Sequence, residues 1–73
     1  MNRWHGERVG DWTVHVGKRC IVVKDSYSSS AVEVKVLEVS PSGKLVKFSF
    51  PSEITSWEHT GEYLLVEQLS DIQ

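Results

Sequence analysis

The sequence predicts a small all-β domain, a five-stranded antiparallel barrel preceded by a short N-terminal arm. Eleven of its 73 residues are valine and only one, Ala31, is alanine, a composition that favours pleated strands over helices. Apolar and polar residues alternate in short runs that are bounded by glycine, proline and serine, as in strands linked by turns. Because consecutive short strands would leave open sheet edges, closure into a barrel is the expected arrangement.

Three segments follow from the pattern along the chain. Residues 1–12 carry mixed charge and no sustained period, which is typical of an arm ahead of a domain. Residues 13–70 hold the predicted strands, and residues 71–73 form a C-terminal tail. The first buried strand is predicted at residues 20–23, an apolar run too short for a helix.

The second and third strands form the clearest hairpin. Valines alternate with charged residues from residue 32 onwards until Leu37 directly follows Val36, and this slip in phase predicts a β-bulge. The turn at residues 40–43 has proline at its second position and Gly43 where a positive φ is needed. The return strand ends before Pro51, which lacks the N–H group that a ladder hydrogen bond requires.

The last two strands are predicted at residues 54–57 and 63–69. In the final strand, Leu64 and Val66 are expected to lie on one face, with Leu69 closing the core.

Composition excludes several classes of function. The net charge is −2, so the chain as a whole lacks the basic excess of a general nucleic-acid binder. Cys20 is the single cysteine, which excludes an intramolecular disulfide and favours a reducing cytoplasm. Neither a signal peptide nor a membrane span is indicated, and a soluble protein is expected. No metal-ligand spacing, phosphate-binding loop or catalytic constellation is present, so we expect no cofactor and no enzyme activity.

From residue 16 to residue 69 the order of features resembles that of SH3-like barrels, the group that includes Tudor and chromo-type domains. The resemblance rests on Val-Gly-Lys-Arg-Cys at 16–20, Ala-Val-Glu-Val-Lys-Val-Leu-Glu-Val at 31–39, Gly-Lys-Leu-Val-Lys-Phe at 43–48 and Leu-Val-Glu-Gln-Leu at 65–69. It implies the fold. Tudor domains that read methylated side chains carry an aromatic, a glycine and an asparagine after the third strand, whereas this chain has Phe-Pro-Ser-Glu at 50–53.

In scale and layout the chain also resembles the plasmid-borne type of dihydrofolate reductase, whose short SH3-like chains assemble around one shared pore. The Val-Gln-Ile-Tyr motif of that family is missing, and Glu-Tyr-Leu-Leu-Val stands at 62–66. This resemblance implies self-assembly only.

Charge is distributed unevenly along the chain. All eight basic residues lie at or before Lys47 with five acidic ones, so that +8 − 5 = +3, and the five acidic residues beyond it give −5. Two charged poles would suit a basic partner or the opposite pole of another copy. The alternative is an ordinary solvated surface with charges paired across strands.

The sequence therefore predicts a non-catalytic module that binds a protein or peptide. Self-assembly into a homo-oligomer is a further expectation, and a chain of this size would suit a compact accessory protein of a phage or mobile element. The binding surface is expected near the serine-rich loop at residues 25–30, because SH3-like barrels bind peptides beside their first loop through aromatic residues. The candidate partner-binding residues are Tyr27, Trp57, Tyr63, Trp12, Glu58 and Glu62.

The alternative function is nucleic-acid binding through a basic strand face with stacking aromatic residues. The candidate residues for that face are Lys18, Arg19, Lys24, Lys35, Lys44 and Lys47.

Overall fold

The computed structural model describes residues 6–25 and 30–69, and within them the chain is all-β, as predicted. Its ordered elements are short antiparallel strands and single 3₁₀ turns. The strands are β1 (Glu7–Arg8), β2 (Arg19–Lys24), β3 (Val32–Val39), β4 (Leu45–Phe50), β5 (Ile54–His59) and β6 (Tyr63–Gln68), and the 3₁₀ turns are Trp12–His15, Pro51–Glu53 and Thr60–Glu62.

The strands form one six-stranded sheet in the order β1-β6-β2-β3-β4-β5. The predicted count of five strands is therefore wrong, because Glu7 and Arg8 of the predicted arm pair with Leu65 and Leu64 of β6. Between β1 and β5, the two ends of the described sheet, no pairing closes a barrel. The predicted tail at 71–73 lies outside the described residues.

The connection between β5 and β6 shows that the sheet is strongly curled. Only the three residues Thr60–Glu62 separate these strands, although four strand spacings lie between them in the sheet order. In a flat sheet those spacings amount to about 19 Å, whereas the four chain steps from His59 to Tyr63 reach at most about 14 Å. The sheet must therefore bend back on itself.

The concave side of the curled sheet holds the core. The ring of Phe48 is its centre, with ring centroids 5.4 Å from Trp12, 5.2 Å from Tyr63 and 5.9 Å from Phe50, all in edge-to-face geometry. The buried side chains of this core come from four strands and the first 3₁₀ turn; they are Trp12, Cys20, Val22, Val34, Val36, Val46, Phe48 and Tyr63.

The first 3₁₀ turn brings Trp12 into this core. The Asp11 carboxylate caps the turn by accepting hydrogen bonds from the Thr13 hydroxyl and from the Thr13 backbone N–H at 3.0 Å. Both hydrogen bonds stabilise the charged carboxylate and so lower the pKa of Asp11, and the bond from the Thr13 hydroxyl has the larger effect. The capped turn directs the Trp12 ring inward, where it is 2% exposed.

The predicted bulge and hairpin are both confirmed. The pairing of β3 with β4 shifts register between Val36 and Glu38, at the position where the apolar pattern slips. In the turn, the Ser40 N–H donates to Leu45 O at 2.9 Å and the Gly43 N–H donates to Ser40 O at 2.9 Å. Gly43 has a φ of 78°, as the turn requires.

At the start of β6, Tyr63 and Leu65 pack on the core, and the pairing with β2 shifts register between Ile21 and Val22. Leu64 lies on the other face of the strand, against Gly6 of the arm. A Cβ atom added at Gly6 would be 2.5 Å from the Cβ of Leu64 and 3.4 Å from Cγ1 of Val23. Because the arm covers β6 there, both faces of this strand are apolar and alternation alone cannot distinguish them.

We predict that Gly43→Ala lowers the free energy of unfolding by about 1 kcal/mol, because alanine is strained at a positive φ although no atom lies within 4 Å of the added Cβ. Gly61→Ala is the matched control, since its added Cβ also meets nothing within 4 Å and its φ is not positive. Urea unfolding of both variants measures the difference. Equal losses in the two would contradict the role of φ at Gly43.

We predict that Phe48→Leu lowers the free energy of unfolding by about 1–2 kcal/mol, because leucine cannot keep the edge-to-face contacts with the neighbouring rings. Phe50→Leu should cost less, since Phe50 is half-buried and contacts Phe48 alone among the described rings. Chemical denaturation compares the two; a larger loss at Phe50 would show that Phe48 is not the centre of the core.

Candidate protein-interaction surface

The structure separates the predicted aromatic residues into buried and exposed ones. Trp12 and Tyr63 are 2% and 7% exposed, and both rings pack against Phe48. Trp57 is 44% exposed on β5. Tyr27 and most of the loop at 25–30 lie outside the described residues. Of the predicted aromatic residues that the structure describes, Trp57 is therefore the one available to a partner.

The two predicted acidic residues are engaged within the protein. The half-buried Glu58 carboxylate accepts hydrogen bonds from the Ser56 hydroxyl at 2.6 Å and from the Tyr63 hydroxyl at 3.3 Å. Glu62 lies 3.8 Å from the Lys24 ammonium. Since adjacent residues of a strand point to opposite faces, Glu58 is on the core side of β5 while Trp57 is on the outer side. The structure does not bring these acidic side chains together with Trp57.

Trp57 instead lines a groove on the outer face of the sheet, with a volume of about 470 Å³. The remaining walls come from the end of β3, the β3–β4 turn and the start of β4; the lining residues are Glu38, Val39, Ser40, Pro41, Leu45 and Trp57. We call this the Trp57 groove. The predicted site did not include its other walls, although the predicted bulge at Leu37 and the predicted turn at 40–43 adjoin the residues that form them.

Two charged residues, Lys47 of β4 and Glu38 of β3, follow Trp57 in the cross-strand register. Lys47 is opposite Trp57 in the pairing of β4 with β5, and its ammonium lies 5.9 Å from the centre of the indole ring. This cation–π contact orients the exposed ring. Glu38 is opposite Lys47 on the other side, in β3. Among the described residues, no ion pair is formed by the Glu38 carboxylate.

The groove lies beside an open sheet edge. Within the described sheet β5 pairs with β4 alone, along all six of its residues from Ile54 to His59. This edge strand contains neither lysine nor proline, the residues that commonly protect an edge from further pairing. Its large apolar side chains are also exposed, Ile54 at 61% and Trp57 at 44%.

Three of the six predicted nucleic-acid-binding residues share the outer face with Trp57. Arg19 and Lys35 are directly opposite each other on β2 and β3, and Lys47 lies on β4. The other three lie elsewhere: Lys24 is at the end of β2 beside Glu62, Lys18 precedes β2, and Lys44 is in the β3–β4 turn.

Acidic residues also occupy this outer face. Glu33 lies 3.4 Å from Arg19, and Glu38 lies opposite Lys47. The face therefore carries both signs of charge.

Metal and membrane sites have no counterpart in the described structure. Within residues 6–25 and 30–69, no three His, Cys, Asp or Glu side chains are grouped as a metal ion would require. The helical turns in those ranges are too short to cross a bilayer. Comparisons with protein-family models, curated proteins and solved structures gave no match to this chain.

We predict that Tyr63 contributes to the alkaline limit of stability. Burial first, and then the Glu58 carboxylate, raise the pKa of Tyr63 from 10.0 to about 12. Because the folded pKa lies above the unfolded one, this contribution is complete below pH 10 and is lost as the pH rises toward 12. A shift of this size corresponds to roughly 2–3 kcal/mol.

Urea unfolding across this pH range, with tyrosinate absorbance, measures the effect. Tyr63→Phe should remove the tyrosine titration near pH 12 and flatten the fall in stability. If both tyrosines of the unsubstituted protein titrate near the ordinary value, the burial argument for Tyr63 is refuted.

Proposed function

We propose that this chain is a non-catalytic, cytoplasmic interaction module that binds an extended protein or peptide segment at the Trp57 groove. The observation that carries the proposal is an exposed tryptophan lining an apolar groove directly beside an open edge strand. Tryptophan is enriched among residues that dominate binding energy at interfaces. An open edge offers main-chain hydrogen bonds to an added strand.

The fold that we propose for the module is the SH3-like barrel. Its support is the order β6-β2-β3-β4-β5, in which the last strand pairs with the first long one, together with the curl that the short β5–β6 connection imposes. β1 then extends the sheet beyond β6.

The chemistry of the groove indicates the kind of segment that it would accept. Val39, Pro41 and Leu45 present apolar walls, which suit an apolar side chain. The Glu38 carboxylate at the same groove makes no ion pair with a described residue, so a basic side chain beside the apolar one would gain a partner. We therefore propose an extended segment that combines an apolar anchor with a neighbouring lysine or arginine.

The proposal of a binding rather than a catalytic role has support from the single thiol. Cys20 is fully buried, and burial raises the pKa of its thiol. A thiol that is shielded and protonated at neutral pH is a poor nucleophile.

A second copy of the chain is an alternative occupant of the same edge. Two β5 strands could pair antiparallel about a twofold axis and bury both Trp57 rings. Such pairing would give the homo-oligomer that the size of the chain suggests, in keeping with an accessory protein of a phage or mobile element.

Nucleic-acid binding is the second candidate function, favoured by the placement of Arg19, Lys35 and Lys47 on the face that also exposes Trp57. A single strand could stack a base on the indole ring while its phosphates contact these cations. Glu33 and Glu38 on the same face reduce its positive charge. We therefore rank this function below peptide binding.

We predict that peptides selected from a random display library on the immobilised protein bind at least tenfold more weakly to Trp57→Ala, a loss of about 1.4 kcal/mol or more. Glu38→Gln should weaken the binding of those selected peptides that carry a basic residue. Val14→Ala is the control, because Val14 is also exposed, at 64%, but lies in the first 3₁₀ turn outside the groove. Fluorescence anisotropy of labelled peptides measures the affinities.

Two further measurements distinguish peptide binding from self-assembly and from nucleic-acid binding: molar mass by light scattering, and titration with a single-stranded oligonucleotide. A molar mass of two chains that becomes one chain in Trp57→Ala would assign the edge to a second copy. Tight binding of a single-stranded oligonucleotide that weakens steeply with salt would favour the nucleic-acid function. Selected peptides whose affinity is the same for Trp57→Ala and the unsubstituted protein would refute the proposed site.

A further inference from the structure

A second feature of the outer face lies apart from the Trp57 groove. Lys35 of β3 is directly opposite Arg19 of β2 on one side and Ser49 of β4 on the other. Ser49 is in turn opposite Thr55 of β5. A guanidinium, an ammonium and two hydroxyl groups thus follow one another across four adjacent strands. We call Arg19, Lys35, Ser49 and Thr55 the donor row.

We propose that the donor row binds a phosphate group. Each of its side chains can donate a hydrogen bond, and the first two carry positive charge. A depression of about 320 Å³ covers the row at Arg19, Lys35 and Ser49 and provides space for a ligand; its remaining walls are Glu33, Val34, Phe50 and Pro51. The proposal goes beyond the peptide-binding function and does not depend on it.

The first argument is electrostatic. Like charges directly opposite each other on neighbouring strands destabilise a sheet, and Arg19 and Lys35 are such a pair. Lys35 forms no ion pair with any described residue. The Arg19–Glu33 pair spans 3.4 Å between side chains that are 47% and 49% exposed, so its attraction is screened by water. A dianion between the two cations would turn this repulsion into attraction.

The second argument concerns the hydroxyl groups. Ser49 is half-buried, and no hydrogen bond joins its hydroxyl to another described residue. A half-buried hydroxyl beside an ammonium is available to donate to a ligand oxygen. Strands lie about 4.8 Å apart, a spacing at which side chains from β2, β3 and β4 can converge on the oxygens of one phosphate.

The third argument concerns the remainder of the ligand. Phe50 and Pro51 give the depression an apolar wall next to the donors. An organic phosphate could therefore place its phosphoryl group on the donor row and its carbon portion against this wall. Two adjacent cations favour a dianion, so the proposed ligand is a phosphate monoester, carried by a small molecule or by a phosphorylated side chain. The diester of a nucleic-acid backbone carries a single negative charge and fits the pair of cations less well.

The test is a titration of the isotopically labelled full chain with inorganic phosphate, followed by amide chemical shifts at constant ionic strength in a buffer without phosphate. We expect saturable shifts centred on Arg19, Lys35 and Ser49, with a dissociation constant on the order of millimolar, since the site is open to water. Lys35→Gln should weaken binding about fivefold or more, and Ser49→Ala, which keeps the charge, about threefold.

Charge-matched variants separate a site from general attraction. Lys44→Gln removes the same positive charge as Lys35→Gln from the β3–β4 turn, outside the donor row, and should leave the affinity unchanged. Glu33→Gln should strengthen binding by removing a carboxylate from the wall of the depression, whereas Glu53→Gln, with an equal change in net charge, should not. Shifts that do not saturate, or equal effects within each matched pair, would overturn the proposal.

Phosphoserine and a thymidine dinucleotide identify the source of the phosphate. Binding of phosphoserine at least as tight as that of inorganic phosphate, with weak binding of the dinucleotide, supports the site and assigns it to monoesters. Equal or tighter binding of the dinucleotide would overturn the assignment to a phosphate monoester. Trp57→Ala should leave phosphate binding intact, so failure of the peptide-binding function would not be mistaken for failure of the donor row.

Discussion

The three-residue connection between β5 and β6 is the constraint on which the remaining structure depends. Because Thr60–Glu62 cannot span a flat sheet, the strands must curl until the ends of β5 and β6 meet. The curl creates a concave side, and the ring of Phe48 occupies its centre between Trp12 and Tyr63. In a chain of 73 residues, with little surface to bury, this aromatic cluster holds the 3₁₀ turn and the last strand on the sheet.

The same curl decides which side chains remain for binding. Trp12 and Tyr63 are buried in the core, and the Glu58 carboxylate accepts a hydrogen bond from the Tyr63 hydroxyl. Trp57, on the opposite face of the same strand as Glu58, stays outside. Among the described residues, Trp57 is thus exposed on the convex face formed by β2 to β5, which ends at the open edge of β5.

The convex face has two regions of different chemistry. Around Trp57 it is apolar with a carboxylate at Glu38, whereas two residues further along β4 it presents the cations and hydroxyl groups of the donor row. The acidic Glu62, from the C-terminal third of the chain, lies 3.8 Å from the basic Lys24. Charge on this protein is organised by cross-strand register more than by position in the chain.

Local sequence by itself determined the all-β class, the hairpin with its glycine turn and the bulge at Leu37. These depend on the period of a strand and on backbone preferences within a few residues. Tertiary structure alone decided the added strand β1, the inward face of β6, the burial of Trp12 and Tyr63, and the exposure of Trp57. Each of these depends on which distant segment covers a strand. The period of a strand alternates its faces but does not say which face another segment will bury, and the curl imposed by the β5–β6 connection makes that choice.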